Sequence, residues 1–269
     1  MFGTEDLIRA GIALAVFAAM ALWEWAAPRR AQSNPRRSRW PGNLALGIVN
    51  AILVRVITPV TVLGVAIVAQ TRGWGLANSI DVPDVVVACT TFVALDLVIY
   101  GQHVAFHRLG VLWRFHRVHH ADLEFDVTTG VRFHPGEALI SLAVKICAVL
   151  ALGVPPTVVI VFEVVLNATS MFNHGNVRLP LVLDALLRTV FVTPDMHRVH
   201  HSRRGAEMNS NFGFNFAWWD RLFATYRAQP AAGHRDMELG LDQFRGDVEL
   251  GLGHMLTQPW RAPGIPVTK

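Results

Sequence analysis

The chain has 269 residues, of which 52% are hydrophobic and only 16% charged. That balance is too apolar for an ordinary soluble domain and suits a polytopic membrane protein. The net charge of +4 gives no reason to expect nucleic acid, and two isolated cysteines without a CxxC pattern exclude a zinc ribbon, a thioredoxin-like site and a cysteine-bound iron–sulfur cluster.

The first apolar run spans about Leu7 to Ala27. Its positive charge follows the run and no small-x-small cleavage site closes it, so it reads as a span, not a leader. Trp23 and Trp25 near its end fit an interfacial aromatic belt. A second run covers about Leu44 to Gln70, and a third about Val82 to Tyr100. Two shorter runs follow, about Ala138 to Leu152 and Thr157 to Phe172, separated by Gly153, Pro155 and Pro156. At about 1.5 Å per residue each is shorter than a roughly 30 Å hydrocarbon core, which predicts a hairpin that barely spans or is re-entrant. Cys89 and Cys147 lie in these apolar runs and are expected to be buried free thiols.

Between the first two runs lie Arg29, Arg30, Arg36, Arg37 and Arg39 with no acid, whereas Arg72 in the next loop is balanced by Asp81. The positive-inside rule therefore places 28–43 in the cytoplasm, as in a bacterial inner membrane. Counting spans puts the chain beyond about residue 101 on that side too, apart from the hairpin. All 12 histidines lie there.

Ten of them fall in groups. His103 and His107 are four apart, His116, His119 and His120 form HxxHH, and His197, His200 and His201 repeat it; His134 and His174 stand in Arg-Phe-His-Pro and Asn-His-Gly-Asn. Helical residues three or four apart share a face, so each group aims several imidazoles into one pocket. Neutral imidazole binds Zn, Fe, Cu and Ni. Eight to ten rings exceed the four positions of one tetrahedral zinc and match two ions of higher coordination number. The helical zinc-protease signature needs a Glu after its first His. Val104, Arg117 and Arg198 stand there instead, and no GxSxG supports a serine nucleophile. His234 and His254 are expected to be ordinary surface residues.

At these motifs the sequence resembles the fatty acid hydroxylase superfamily, in particular its sterol desaturase-like branch, over about residues 40–230. The resemblance is carried by Asp96-x-x-x-Tyr100-x-x-His103-x-x-x-His107, by Leu112 to His120, by Asp126 to Glu137, by Thr193 to His201, and by Asn211-Phe-Gly-Phe-Asn with Trp218 to Phe223. Val104 departs from the Arg that relatives often carry. The resemblance implies an all-α integral membrane protein: a four-helix transmembrane domain, or three spans plus a hairpin, under a histidine-rich cytosolic cap. Residues 1–100 would form N-terminal helices, 101–230 the hydroxylase-like domain with its hairpin at 138–172, and 231–269 a C-terminal tail. It implies hydroxylation or desaturation of a membrane lipid with O2 at two iron ions, with zinc as an alternative metal. The implied ligands are His103, His107, His116, His119, His120, His197, His200 and His201, with His174 as a further one. His134 is either a ligand or a group that holds one in place.

Asp96 lies two helical turns before His103, and its expected partner is a ligand imidazole or an arginine. Lys145 and Glu163, one in each hairpin arm, are expected to pair. Asp122, Glu124, Asp126, Glu137 and Asp195 either orient imidazoles through the second ring nitrogen or balance nearby arginines. No GxGxxG follows a strand, so the two electrons per turnover must come from a separate ferredoxin- or cytochrome b5-like donor. The His134-Pro-Gly-Glu segment is similar to a haem-binding motif but has no surrounding domain. A metal transporter or storage protein, or a lipid-binding relative without activity, is the alternative; transporters place ligands near the bilayer midplane, whereas these clusters flank the spans.

Overall fold

The architecture follows from long apolar runs broken by Gly and Pro. The computed structural model describes residues 4–57 and 61–261, and among these all regular structure is helical, with only isolated β-bridges besides. The helices are α1 (Thr4–Ala26), α2 (Arg36–Ile57), α3 (Val62–Arg72), α4 (Asp84–Arg108), α5 (Gly110–His120), α6 (Pro135–Leu152) and α7 (Pro156–Asn173). The shorter α8 (Leu181–Leu187), α9 (Pro194–His200), α10 (Gly205–Met208), α11 (Trp218–Leu222), α12 (Gly233–Asp236) and α13 (Leu252–Arg261) complete the chain.

Among the described residues, five segments are long and apolar enough to cross a bilayer: α1, α2 with α3, α4, α6 and α7. The run expected at 44–70 is divided. Helix α2 ends at Ile57, and Thr61, in extended conformation, caps α3 by accepting a hydrogen bond from Gly64 N at 3.0 Å. The residues between, which include Pro59, lie outside the described ones.

The hairpin arms are longer than their apolar runs. Pro135 and Pro156 each begin a helix, where a missing N–H costs nothing, and each arm has 18 residues, about 27 Å. The tip meets the loop between α3 and α4. Gly75 has φ 95°, and a Cβ on it would lie 2.2 Å from the Gly153 backbone nitrogen, so only glycine permits that approach. Val62, Val65, Leu95, Ile99, Val149, Val158 and Phe162 belong to the bundle core.

Two expectations about apolar runs resolve differently. Cys89 and Cys147 are exposed, not buried. Their helices present one side to the protein core and the other outward, where a bilayer, not protein, would cover them. The charge pairing holds: Lys145 Nζ donates to Glu163 Oε1 at 3.1 Å, and Arg9 of α1 binds the other carboxylate oxygen.

Helix α1 ends at the histidine end of the bundle. Arg29 N donates to Asn176 O at 2.9 Å, and Arg178 N to Ala27 O at 2.9 Å. Arg39 of α2 reaches Asp122 just after α5. Residues 28–43 thus share one end with the histidines, as charge counting anticipates. Residues beyond 230 fold back there too: Met255 of α13 is buried against Leu46 and Val118.

Candidate metal centre

Four helix ends deliver the histidines. The last turns of α4 carry His103 and His107, and α5 carries His116, His119 and His120. His174 caps the C-terminus of α7. On α9, the Thr193 hydroxyl accepts from Met196 N at 3.3 Å and Pro194 opens the first turn, so this short helix starts in register to present His197, His200 and His201.

The side chains converge in two groups. One comprises His103, His107, His116, His120 and His200; the other comprises His119, His174, His197 and His201. Every member is buried, and within each group the ligand-type nitrogens lie within 4.8 Å of one another. These nine are the histidines singled out by spacing and resemblance. The groups adjoin: the rings of His120 and His201 stack at 4.4 Å.

Hydrogen bonds set the tautomers. His103 Nδ1 donates to Phe212 O at 2.8 Å, His116 Nδ1 to Glu137 Oε1 at 2.7 Å, His174 Nδ1 to Ser170 O at 2.7 Å and His200 Nδ1 to Ser210 O at 2.7 Å. These oxygens accept, so the proton sits on Nδ1 and the Nε2 lone pair faces inward. In the first group Nε2 of His120 is 3.1 Å from that of His107 and 3.2 Å from that of His116. In the second, Nε2 of His174 is 3.1 Å from those of both His119 and His197. Two nitrogens each about 2.1 Å from one ion, at right angles, are about 3.0 Å apart. Nε2 of His103, His200 and His201 is buried without any hydrogen-bond partner. Lone pairs that face one another in a dry pocket call for a cation, so the residues fit a metal. Burial, reinforced by neighbouring imidazoles, holds His200 down to about 3. Burial likewise holds His174 down to about 4. His119, His197 and His201 are also pushed far down by burial. These five rings are thus neutral at pH 7, the form that binds metal.

A polar frame holds the helix ends. Arg39 binds Asp122 through Nε at 2.7 Å and Nη2 at 2.8 Å, and reaches Asp126 with Nη1 at 2.7 Å. Asn43 Nδ2 donates to Asp122 at 2.9 Å, and Asn43 Oδ1 accepts from Arg132 Nη1 at 2.7 Å. Glu24, buried near the end of α1, accepts from Val127 N at 2.7 Å and Asn176 N at 2.9 Å. These bonds clamp α1 and α2 to the segments after α5 and α7.

Three expected site residues stand outside both groups. His134 Nε2 donates to Leu256 O at 3.1 Å and its Nδ1 accepts from Gly136 N at 2.9 Å, so it caps α6 and ties down α13. Asp96 meets neither an imidazole nor an arginine; it accepts from the Asn215 and Phe216 backbone at 3.3 Å and from Trp219 Nε1 at 2.8 Å. The loop before α11 and the first turn of α11 supply its donors, a long-range arrangement invisible in a linear sequence. Asp195 pairs with Arg29 at 2.9 Å and with Arg198, and lies 3.6 Å from His234. His254 is exposed as expected, but His234 is buried, because α12 folds onto the cap beside Asp195. Of the flanking acids, Glu137 orients an imidazole, whereas Asp122, Asp126 and Asp195 balance arginines. The roles of Phe212, Ser170 and Ser210 escape sequence reading, since a backbone carbonyl carries no side-chain signal.

Comparison with known proteins agrees with this geometry. The fatty acid hydroxylase family model matches residues 88–225. The ornithine lipid hydroxylase OlsE of Rhizobium tropici is 34% identical over 178 residues, covering 64% of this chain and 51% of the relative. The alkylglycerol monooxygenase of Caenorhabditis elegans is 30% identical over 139 residues, 50% of this chain and 26% of the relative. The cholesterol 25-hydroxylase of Rattus norvegicus is 27% identical over 137 residues, 50% of this chain and 45% of the relative. The aligned part thus spans about half or less of each relative's length. No solved structure matches the chain. On its motifs, its buried histidine groups and this match, the chain belongs to the fatty acid hydroxylase family.

Proposed function

We propose that the protein is a membrane-embedded, O2-dependent lipid hydroxylase whose centre holds two iron ions. The observation that carries this reading is the convergence of nine buried imidazoles in two adjoining groups at the end of an apolar bundle. His103, His107, His116, His120 and His200 would hold one ion, and His119, His174, His197 and His201 the other. Five nitrogens in one group exceed the tetrahedral set that zinc prefers, which favours iron. Bound iron would supply O2 activation, with one oxygen atom entering a C–H bond of the lipid, the other leaving as water with two protons from solvent, and two electrons arriving from a separate ferredoxin- or cytochrome b5-like donor.

The chain's own residues orient and shield. Glu137 and three backbone carbonyls fix four imidazoles by their Nδ1–H groups. Trp113, Phe125 and Phe212 pack directly on the histidine rings and keep water from the site. The relatives are hydroxylases and monooxygenases of lipids, which favours hydroxylation over desaturation.

The contact between Gly75 and Gly153 supports a hairpin that crosses fully, giving five crossings, and the arginines of 28–43 at the histidine end favour the cytoplasmic face of a bacterial inner membrane for that end. Residues 1–100 then anchor the catalytic unit at 101–230, and α12 and α13 complete its cap. The test is metal analysis of the purified protein with mass spectrometry of lipids from cells expressing it. About two irons per chain and a lipid heavier by one oxygen are expected; a metal-free or zinc-only protein with unchanged lipids would overturn the reading.

A further inference from the structure

The loop from Asn211 to Ala217 runs between the bundle core and the histidines. Its first aromatic, Phe212, packs on His103, His107 and His200, all in the five-histidine group. Its second, Phe214, does something different. The Phe214 ring centroid lies 6.5 Å from that of His103 in one group and 6.5 Å from that of His197 in the other. Among the described residues it is the only aromatic ring apart from the histidines that contacts both groups: Phe106 and Trp113 reach only the first, Phe125 and Phe133 only the second.

Two further observations concern access. Gly213 and Asn215 on either side are buried, yet Phe214 itself is only partly buried. It also packs against the apolar core built by Leu95, Ile99 and Phe162. The ring thus lies between that apolar core and the histidines.

The ring is held in place from its backbone. Asn173 Nδ2, beside His174, donates to Phe214 O at 2.7 Å. Asp220 accepts from Gly213 N at 2.8 Å, and Asp96 accepts from Asn215 N at 3.3 Å. A Cβ at Gly213 would sit 2.7 Å from Asp220 Oδ2 and 2.8 Å from Phe216 O, so the turn accepts only glycine there. Both neighbours of Phe214 are thus fixed by buried carboxylates, which sets the direction in which its side chain leaves the loop.

We propose that the Phe214 ring is the wall on which the reacting segment of an aliphatic chain is seated between the two histidine groups, so that its size selects the carbon that is oxidised. This rests on the hydroxylase reading. It assigns Phe214 to specificity, and it assigns Asp96, Asn173 and Asp220 to positioning that wall.

The test uses the full chain, loaded with ferrous iron, in phosphatidylcholine vesicles carrying either a 1-O-hexadecylglycerol or an ornithine lipid, with ferredoxin, its reductase and NADPH. Wild type, Phe214→Leu and Phe214→Ala are compared for iron per chain, O2 consumed per product, and oxygen position by tandem mass spectrometry. Both variants should keep their iron. The ratio of neighbouring-carbon products to the principal product should rise, by roughly tenfold or more for Phe214→Ala and less for Phe214→Leu, the scale on which pocket changes of methylene size discriminate. O2 consumed per product should rise in parallel. Unchanged product position and coupling with iron retained would overturn the inference while leaving the hydroxylase reading intact. Loss of iron from both variants would overturn it too, since the ring would then support the histidines. If wild type oxidises neither lipid, the hydroxylase reading itself fails and the inference falls with it.

Discussion

Glu137, in the first turn of α6, accepts the Nδ1 proton of His116 on α5 at 2.7 Å, with both side chains buried. This bond couples the hairpin to the five-histidine group. It also leaves the His116 lone pair on Nε2, the atom that faces His120. Removing such an outer partner typically costs about 10–100-fold in metal affinity. Glu137→Ala should therefore lose iron at that scale, measured by competition with a chelator. Glu137→Gln keeps an accepting oxygen and should lose less. Equal iron retention in wild type and both variants would show that this bond does not support the centre.

Arg39 is the keystone of the frame beneath the site. Its guanidinium is fully buried between Asp122 and Asp126. Breaking a buried pair from one side costs about 3–5 kcal/mol, because the remaining charges stay buried without compensation. Arg39→Ala should lower the thermal midpoint of the detergent-solubilised protein by several degrees and loosen iron as well, since α2 would no longer clamp the segment after α5. A midpoint within a degree of wild type would contradict this role.

Gly75 offers the opposite combination. Gly75→Ala would force a side chain into the Gly153 backbone at the far end of the bundle from the histidines. Overpacking of this kind costs about 1–3 kcal/mol. The variant should unfold more readily in a denaturant titration while its iron content stays at the wild-type level. Iron loss without a stability loss would contradict the placement of the hairpin tip.

Acid should act on the frame in a definite window. Burial pushes the Asp126 carboxyl up, but the Arg39 guanidinium beside it outweighs this and holds it below its ordinary value. A depressed carboxyl contributes stability that is fully present above about pH 4 and is lost as pH falls through the folded value. The neutral histidines act earlier. Burial holds His174 at about 4. The unfolded chain takes up protons below about pH 6.5 that this folded ring refuses. The metal-free protein should therefore lose stability in two stages, from about pH 6.5 downward and again below about pH 4. Thermal midpoints from pH 8 to pH 3.5 check this, and a flat profile down to pH 4 would contradict the first stage.

Eight of the nine clustered histidines were legible because i, i+3 and i, i+4 spacing on helices is a side-chain property, whereas His174, which stands alone in the sequence, was legible only through the resemblance; the arginines at 29–39 placed them on one end. The pairing of Lys145 with Glu163 was legible for a similar reason: two lone charges in apolar runs need each other. What holds the rings was not legible. Three of the four Nδ1 acceptors with defined geometry are backbone carbonyls, and the long-range partners of Arg39 and Asp96 depend on how loops after α5 and before α11 fold. The burial of His234 and the exposure of Cys89 and Cys147 misled for one physical reason. In a membrane protein apolar character marks contact with lipid as much as a core, and a polar cap can bury charge.

The most direct measurement is a turnover of the iron-loaded protein in lipid vesicles under 18O2, followed by mass spectrometry of the lipid. The account predicts one labelled oxygen in the product, dependent on the electron donor and abolished by His200→Ala. An oxidised product whose new oxygen carries no 18O, or an iron-loaded protein that leaves its lipids unchanged, would contradict it.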